Sequence, residues 1–181
     1  MQRALRRPRP VVSPVEWTPA ESVELYGVRN WGAGYFDINE AGNVTLSVPA
    51  NGTRVTVSLM DMIAGMQQRG MQMPVLLRLD NLLDAQIALL NDTFNKAIQA
   101  LGYKSEYHGV FPIKVNQQCA VIEEIVRVGA PYGHGLEAGS KAELLIALAS
   151  MEPGSGYIVC NGYKDTEFIT LGLQAIRLGY R

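Results

Sequence analysis

A repeated alternation of short apolar runs and amphipathic segments, which begins at residue 74, is the feature that most limits how this chain can fold. The apolar runs occupy residues 74–79, 107–116, 132–139 and 157–162. Each run is followed by a segment with apolar residues at helical spacing, and three of those segments end at Gly102, Gly129 and Gly179. Because parallel strands need crossover connections, the repeat predicts an α/β fold with a parallel sheet.

Units of this kind either close into a barrel or form an open doubly wound sheet. No G-x-G-x-x-G motif follows the first predicted strand, which disfavours a dinucleotide-binding sheet. The pattern therefore favours a (β/α) TIM-type barrel. A complete barrel needs about 250 residues, and the chain has 181. We therefore expect a partial, truncated barrel over residues 74–181.

The residues before the repeat predict a small helix and hairpin region over residues 17–73. The segment "TPAESVELYG" has Thr18 in position to cap a helix, with Glu21 completing a capping box. A hairpin is predicted to turn at residues 40–43, and a helix to begin at Ser58 and end at Gly70. Residues 1–16 are expected to form a disordered tail.

Composition excludes several classes of function. The net charge of −1 and the pI near 6.1 give no indication of nucleic acid or an anionic membrane as a partner. No run of 18 or more apolar residues is present, and no apolar segment follows the basic N-terminus as in a secretory signal, so a cytoplasmic protein is predicted. Two cysteines and two histidines lack the spacing of a zinc site, and no metal-binding residues are predicted.

The junctions between predicted strands and helices are unusually polar. In parallel α/β folds, functional sites gather where strands end, so these junctions are the candidate site. Their polar residues are Lys114, Asn116 and Gln117 in the first junction, Glu137, Ser140 and Glu143 in the second, and Asn161, Lys164 and Asp165 in the third.

Lys114 in "FPIKVNQQ" has two interpretations. A lysine at such a junction can be desolvated and surrounded by carboxylates, which prepares its amine to form a Schiff base with a carbonyl. It can equally be a solvent-exposed surface residue. Pro112, which interrupts the strand two residues earlier, favours a backbone kink that redirects the lysine. The residues alone leave both interpretations open.

The acidic residues and the histidine of the second junction also have structural alternatives. "SKAE" is a capping box, so Glu143 either caps a helix, belongs to the site, or does both. Glu137 ends a predicted strand among glycines and small residues, where a ligand can approach closely. His134 is a candidate ligand contact, although a lone histidine between glycines is more often an ordinary loop residue.

Several longer sequence segments resemble those of one protein family. "YGVRNWGAGYFDIN", "PVLLRL", "GVFPIKVNQQ", "VIEEIVRVG", "YGHGLEAGSKAELLIALA" and "VCNGYKD" occur in the order and spacing of the biosynthetic arginine decarboxylases. These are pyridoxal phosphate enzymes of the alanine-racemase-like barrel type. The resemblance runs from about Tyr26 to the C-terminus.

The resemblance implies a reaction and a set of site residues. The reaction is decarboxylation of L-arginine to agmatine and carbon dioxide, in polyamine biosynthesis. By motif, Lys114 would hold pyridoxal phosphate as a Schiff base, Glu137 and Glu143 would lie beside that lysine, and Asn116 and His134 are candidate cofactor contacts. A magnesium requirement and a homo-oligomeric full-length enzyme are also implied.

The family's enzymes are several times longer than this chain. By resemblance, the remaining parts supply a phosphate-binding glycine loop, the acidic partner of the pyridine nitrogen and a β-domain. They also supply a cysteine that is contributed across a dimer interface. We therefore expect an N-terminal fragment that is inactive alone. Two alternatives are a decarboxylase of another basic amino acid, of the diaminopimelate or ornithine type, and a non-enzymatic pyridoxal phosphate-binding barrel protein.

Overall fold

The structure is a computed structural model that describes residues 17–50 and 52–181, in two compact units divided between Val75 and Leu76. The predicted tail over residues 1–16 lies outside the described residues. In the described ranges, no helix has both the length and the apolar character that crossing a membrane requires.

The first unit contains a three-stranded antiparallel sheet and three helices. In chain order these are α1 (Pro19–Leu25), α2 (Val28–Trp31), β1 (Phe36–Ile38), β2 (Val44–Ala50), β3 (Thr53–Ser58) and α3 (Leu59–Gln68). The strands are arranged in the order β1-β2-β3. The apolar side chains of this unit that are buried include Val23, Val28 and Leu46.

The local signals of the first unit mostly act as predicted. The capping box at α1 is complete, because Thr18 accepts from the Glu21 amide and Glu21 accepts from the Thr18 amide at 2.7 Å. The hairpin turns as expected, with Asn39 Oδ1 accepting from the amides of Ala41 and Asn43. Strand β3 was not predicted, although the Asn-Gly pair at 51–52 is a hairpin signal that could have indicated it.

The predicted capping of α3 by the Ser58 side chain is wrong. Ser58 occupies the backbone position before α3, with extended geometry, but its side chain makes no capping hydrogen bond. Its hydroxyl is buried and has no hydrogen-bond partner among the described residues. Ser58 also closes strand β3, where it pairs with Thr45, and its side chain is directed into the unit rather than toward the helix terminus.

The second unit is a parallel α/β arrangement. Its elements are α4 (Asp80–Leu101), β4 (Val110–Pro112), α5 (Cys119–Gly129), β5 (Gly135–Ala138), α6 (Lys141–Ser150), β6 (Ile158–Cys160) and α7 (Thr166–Arg177). The strands pair in the order β4-β5-β6, and both pairs are parallel. Each strand therefore lies beside its predecessor, which is the order of an arc of a (β/α) barrel.

The predicted strand over residues 74–79 is wrong. These residues have no regular secondary structure, and Leu76 is 74% exposed. Within the described residues, β4 is at the edge of the parallel sheet and pairs only with β5. A strand is stable when a neighbour satisfies its backbone groups, and here no neighbouring strand does so for this apolar run.

An apolar core beneath the sheet positions the strand ends. Ile113 and Leu136 from the sheet side are completely buried, and they pack with Ile122 and Ile125 of α5 and with Ala147 of α6. Burying the isoleucine and leucine side chains of this core stabilises the fold by about 1.5 to 3 kcal/mol each. Because Ile113 directly precedes Lys114, this core also anchors the backbone of the candidate site.

Candidate active site

Lys114 lies at the carboxyl end of β4, in a single turn of 3₁₀ helix over Ile113–Val115. The strand ends at Pro112, which has no amide to continue the ladder, and the chain turns there as the sequence predicted. Ile113 is buried beneath the turn, whereas the Lys114 side chain is 63% exposed. The backbone at Lys114 is therefore fixed, and the amine at the end of the side chain is accessible to a small molecule.

Glu137 faces Lys114 from the neighbouring strand. It belongs to β5 and is in register with Pro112 of β4, so its side chain emerges at the same edge of the sheet. The Glu137 Oε1 to Lys114 Nζ distance is 3.7 Å, and the Glu137 side chain is only 15% exposed. Lys114 and Glu137, both predicted site residues, thus form an ion pair. Its carboxylate is mostly buried, whereas its amine is exposed.

Asn161 adds a third side chain, from the junction after β6. Its Nδ2 lies 3.5 Å from the same Glu137 oxygen that faces Lys114. The ends of three successive strands therefore contribute one basic, one acidic and one amide side chain to a continuous row. The sequence identified Asn161 as a polar junction residue but gave it no specific role.

Glu143 is hydrogen-bonded at the N-terminus of α6, beside this row of side chains. Its Oε2 accepts from the Gly139 amide at 2.7 Å and its Oε1 accepts from the Ser140 hydroxyl at 3.1 Å, while Ser140 Oγ accepts from the Glu143 amide. The predicted capping box forms in a modified way, because Glu143 reaches the amide one residue before the N-cap. Its catalytic role stays a prediction.

Asn116 follows the lysine turn and organises the start of α5. Its Oδ1 accepts from the Gln118 amide at 3.1 Å, and the residue is half-buried. This is an Asx turn, which satisfies an amide that the beginning helix leaves unpaired. Its predicted contact with the cofactor stays a prediction, and the structure places it two residues beyond Lys114.

His134 is not brought together with Lys114. It precedes the first residue of β5, whereas Lys114 follows the last residue of β4, so the two residues lie at opposite ends of the parallel strands. The His134 ring is buried, with Nδ1 3.4 Å from Asn91 Nδ2 of α4. Burial lowers the pKa of its imidazole. This geometry gives no support to the predicted cofactor contact.

The buried Asn91 was missed in the sequence. It lies four residues after Ile87, on the buried face of α4, and its Nδ2 also donates to the Ile87 carbonyl at 2.8 Å. An asparagine at a core position of an apolar helix face is the signal that could have indicated a buried polar partner.

The described residues contain no group of three or more histidine, cysteine, aspartate or glutamate side chains that could hold a metal ion. This part of the chain therefore offers an amine, a carboxylate and an amide as its chemical groups. An accessible lysine amine can form a covalent bond with the carbon of an aldehyde, and a neighbouring carboxylate can hold that amine in position.

Comparison with known proteins gives the arrangement a context. Residues 87–176 match the pyridoxal binding domain of the pyridoxal-dependent decarboxylases. The biosynthetic arginine decarboxylase of Gloeobacter violaceus is 46% identical over 165 residues, which is 91% of this chain and 26% of that protein. That of Pseudomonas putida is 46% identical over 166 residues, which is 91% of this chain and 25% of that protein.

The fold of the chain is also similar to that of a biosynthetic arginine decarboxylase. The crystal structure of the biosynthetic arginine decarboxylase of Campylobacter jejuni superposes with a TM-score of 0.77 at 37% sequence identity, covering 86% of this chain and 25% of that one. The chain thus spans about a quarter of the length of the relatives that it matches. Over residues 87–176 it matches the pyridoxal binding domain of the pyridoxal-dependent decarboxylases, and along most of its length it is similar to the biosynthetic arginine decarboxylases.

Proposed function

We propose that this chain carries the cofactor lysine, Lys114, of a pyridoxal phosphate-dependent lyase that converts L-arginine to agmatine and carbon dioxide. The observation that carries the proposal is the position of Lys114 at a strand end, 3.7 Å from Glu137, within a matched pyridoxal binding domain. The reaction contributes to polyamine biosynthesis, in keeping with the names of the relatives.

The residues present fit the covalent attachment of pyridoxal phosphate. An aldehyde needs an accessible amine, and the Lys114 side chain is 63% exposed at a turn whose backbone is anchored by Ile113. The Lys114 nitrogen would bond to the aldehyde carbon while the aldehyde oxygen leaves as water. The ammonium would lose its proton to solvent before it attacks, and Glu137 Oε1, at 3.7 Å, would orient the Lys114 side chain.

Bound pyridoxal phosphate supplies an electron sink for the pair released when a carboxylate leaves as carbon dioxide. In that reaction the bond between Cα and the carboxylate breaks, and a proton replaces the carboxylate on Cα. Lys114 would hold the cofactor, and Glu137 would orient the lysine side chain from the neighbouring strand.

The magnesium implied by the resemblance finds no matching donor set. Magnesium is held by oxygen ligands in near-octahedral geometry, and the described residues contain no acidic cluster of the necessary size. No step of the proposed reaction is therefore assigned to a metal ion here. A cytoplasmic location and a homo-oligomeric complete enzyme are the remaining parts of the proposal.

The substrate assignment rests on the relatives that the chain matches, which are named arginine decarboxylases. Because the chain spans about a quarter of their length, we propose that these residues do not sustain turnover by themselves. Purified chain supplied with pyridoxal phosphate, magnesium and L-arginine should show no continuing release of agmatine. Continuing release would contradict this part of the proposal.

A chimera tests the activity directly. The matching quarter of the Pseudomonas putida arginine decarboxylase would be replaced by this chain, and agmatine would be measured by chromatography. We expect agmatine from L-arginine, and no comparable product from L-ornithine or diaminopimelate. Lys114→Ala should reduce the activity to background, whereas Lys104→Ala, in a loop before β4, should leave it intact.

The same chimera separates the alternatives. Release of carbon dioxide from another basic amino acid in preference to arginine would contradict the substrate assignment. Activity that survives Lys114→Ala would contradict the assignment of the cofactor lysine.

A further inference from the structure

We propose that Asn161 is a positioning residue that holds the Glu137 carboxylate in place beside Lys114. This inference rests on the proposed function of Lys114 and extends it to the third strand of the sheet. Asn161 does not need to touch the cofactor for this role, because it acts through Glu137.

The first support is a shared oxygen atom. Asn161 Nδ2 lies 3.5 Å from Glu137 Oε1, and that oxygen lies 3.7 Å from Lys114 Nζ. Oε1 is therefore placed between a neutral amide donor and a charged ammonium. An amide donor stabilises a carboxylate oxygen without competing for a proton.

The second support is the orientation of the Asn161 amide. Its Oδ1 accepts from the Gly162 amide at 2.9 Å, so Nδ2 is the end left to face Glu137. The reverse orientation would place an NH₂ group against the Gly162 amide and an oxygen against the carboxylate. Both contacts would be repulsive, and the observed orientation follows from the hydrogen-bonding chemistry.

The third support is the anchoring of the Asn161 backbone. Its amide donates to the Ala138 carbonyl at 2.9 Å, which ties the loop to the end of β5. Gly162 has a φ of 74°, and a Cβ there would lie 3.0 Å from the Gly139 carbonyl oxygen. Lys164 Nζ donates to the Gly162 carbonyl at 2.7 Å. The loop therefore approaches its neighbour closely and presents Asn161 from a fixed position.

These contacts have a consequence for the reactivity of Lys114. A carboxylate beside an amine favours the charged ammonium, and only the neutral amine attacks a carbonyl carbon. Without the Asn161 donor, Glu137 loses the contact that keeps Oε1 directed toward Lys114. The ion pair would weaken, and the Lys114 amine would attack an aldehyde carbon more readily.

Reductive methylation of the chain measures this reactivity without pyridoxal phosphate. Limiting formaldehyde and cyanoborohydride would be added near pH 7, and methylation of Lys114 would be followed by peptide mass spectrometry relative to Lys104 in the same molecule. The parent chain would be compared with Asn161→Ala, Asn161→Ser, Glu137→Gln and the double variant Asn161→Ala with Glu137→Gln. Asn95→Ala, on the exposed part of α4, is the matched asparagine control.

We expect Glu137→Gln to accelerate Lys114 methylation by about twofold to fivefold, the range for an exposed ion pair. Asn161→Ala should also accelerate Lys114 methylation, by no more than Glu137→Gln does. The Lys114 methylation rate of Asn161→Ser should lie between those of Asn161→Ala and the parent. The double variant should match Glu137→Gln alone, because Asn161 acts through Glu137. Asn95→Ala should behave as the parent.

Two results would overturn the inference. One is a Lys114 methylation rate in Asn161→Ala that equals the parent rate. The other is an Asn161→Ala effect that persists in full when Glu137 is already replaced. Selective labelling of Lys114 by pyridoxal phosphate in the parent chain tests the proposed function separately, so the two can fail independently.

Discussion

At the scale of single residues, the site depends on side chains whose positions are fixed by local bonds. Glu143 shows this most clearly, because its two oxygens accept from the Gly139 amide and the Ser140 hydroxyl. These two bonds tie the loop after β5 to the first turn of α6. The Glu143 carboxylate therefore shapes the loop that lies next to Glu137.

Replacing Glu143 with alanine should lower the free energy of unfolding by about 1 to 2 kcal/mol, because the Gly139 amide loses its acceptor. Glu143→Gln should cost less, since its remaining oxygen can still accept one of the two bonds. Urea unfolding of the chain measures both values. Glu152→Ala, at an exposed position after α6, is the control. Equal stability of Glu143→Ala and Glu152→Ala would contradict the assigned role.

His134 gives a prediction about pH. Burial lowers its pKa below the ordinary value near 6.5, so the unfolded chain binds more protons than the folded chain below about pH 6.5. Stability should therefore be constant above that pH and fall as the pH decreases toward the folded-state pKa. Thermal melts at a series of pH values should show this loss.

The control for His134 is the other histidine. His134→Gln should lower the stability at every pH, because it alters the contact with Asn91. It should also make the melting temperature depend less on pH in this range. His108→Gln removes the other, exposed imidazole and leaves the buried one in place. A pH dependence that is unchanged in His134→Gln would show that another group is responsible.

At the scale of elements, helices α4 and α5 are joined by a small ionic cluster. Arg127 of α5 pairs with Glu124 one turn earlier and with Asp84 of α4, at 3.4 Å. The guanidinium lowers the pKa of Glu124, whereas burial and the nearby Glu124 raise the pKa of Asp84. Two carboxylates thus share one cation at the helix contact.

Arg127→Met should destabilise the chain, because the two carboxylates then face each other without a cation. Adding Asp84→Asn to Arg127→Met should recover part of the loss by removing one of the two charges. Asp84→Asn alone should be neutral or stabilising near pH 7, since a raised pKa means that folding disfavours the charged form of Asp84. Chemical unfolding measures each variant, and a double variant less stable than Arg127→Met would contradict the repulsion.

Elements defined by local chemistry were predictable, and elements that depend on a distant partner were not. The capping box at Thr18 and the stop at Gly102, which has a φ of 61°, form where the sequence places them. The run at residues 74–79 has the composition of a buried strand and no neighbouring strand, so its irregular structure could not be deduced from its letters. Strand β3 was missed although its partner β2 directly precedes it, because most of its side chains are exposed and the hairpin signal at residues 51–52 was not used.

At the scale of the whole molecule, the site is a property of the parallel sheet. Parallel strands end at one edge, so the sequence could predict that Lys114 and Glu137 lie near each other. The order of contacts could not be predicted, because it depends on the register that pairs Pro112 with Glu137 and Glu137 with Val159. That register also separates His134 from Lys114, although the motif containing His134 also contains Glu137.

We propose that Lys114, one of the five lysines of the chain, is the residue that binds pyridoxal phosphate covalently. The most direct measurement is to incubate the chain with pyridoxal phosphate, reduce with borohydride and locate the retained cofactor mass by peptide mass spectrometry. We expect the mass on Lys114 at low cofactor concentration and its loss in Lys114→Arg. Labelling spread evenly over the five lysines, or unchanged in Lys114→Arg, would contradict it.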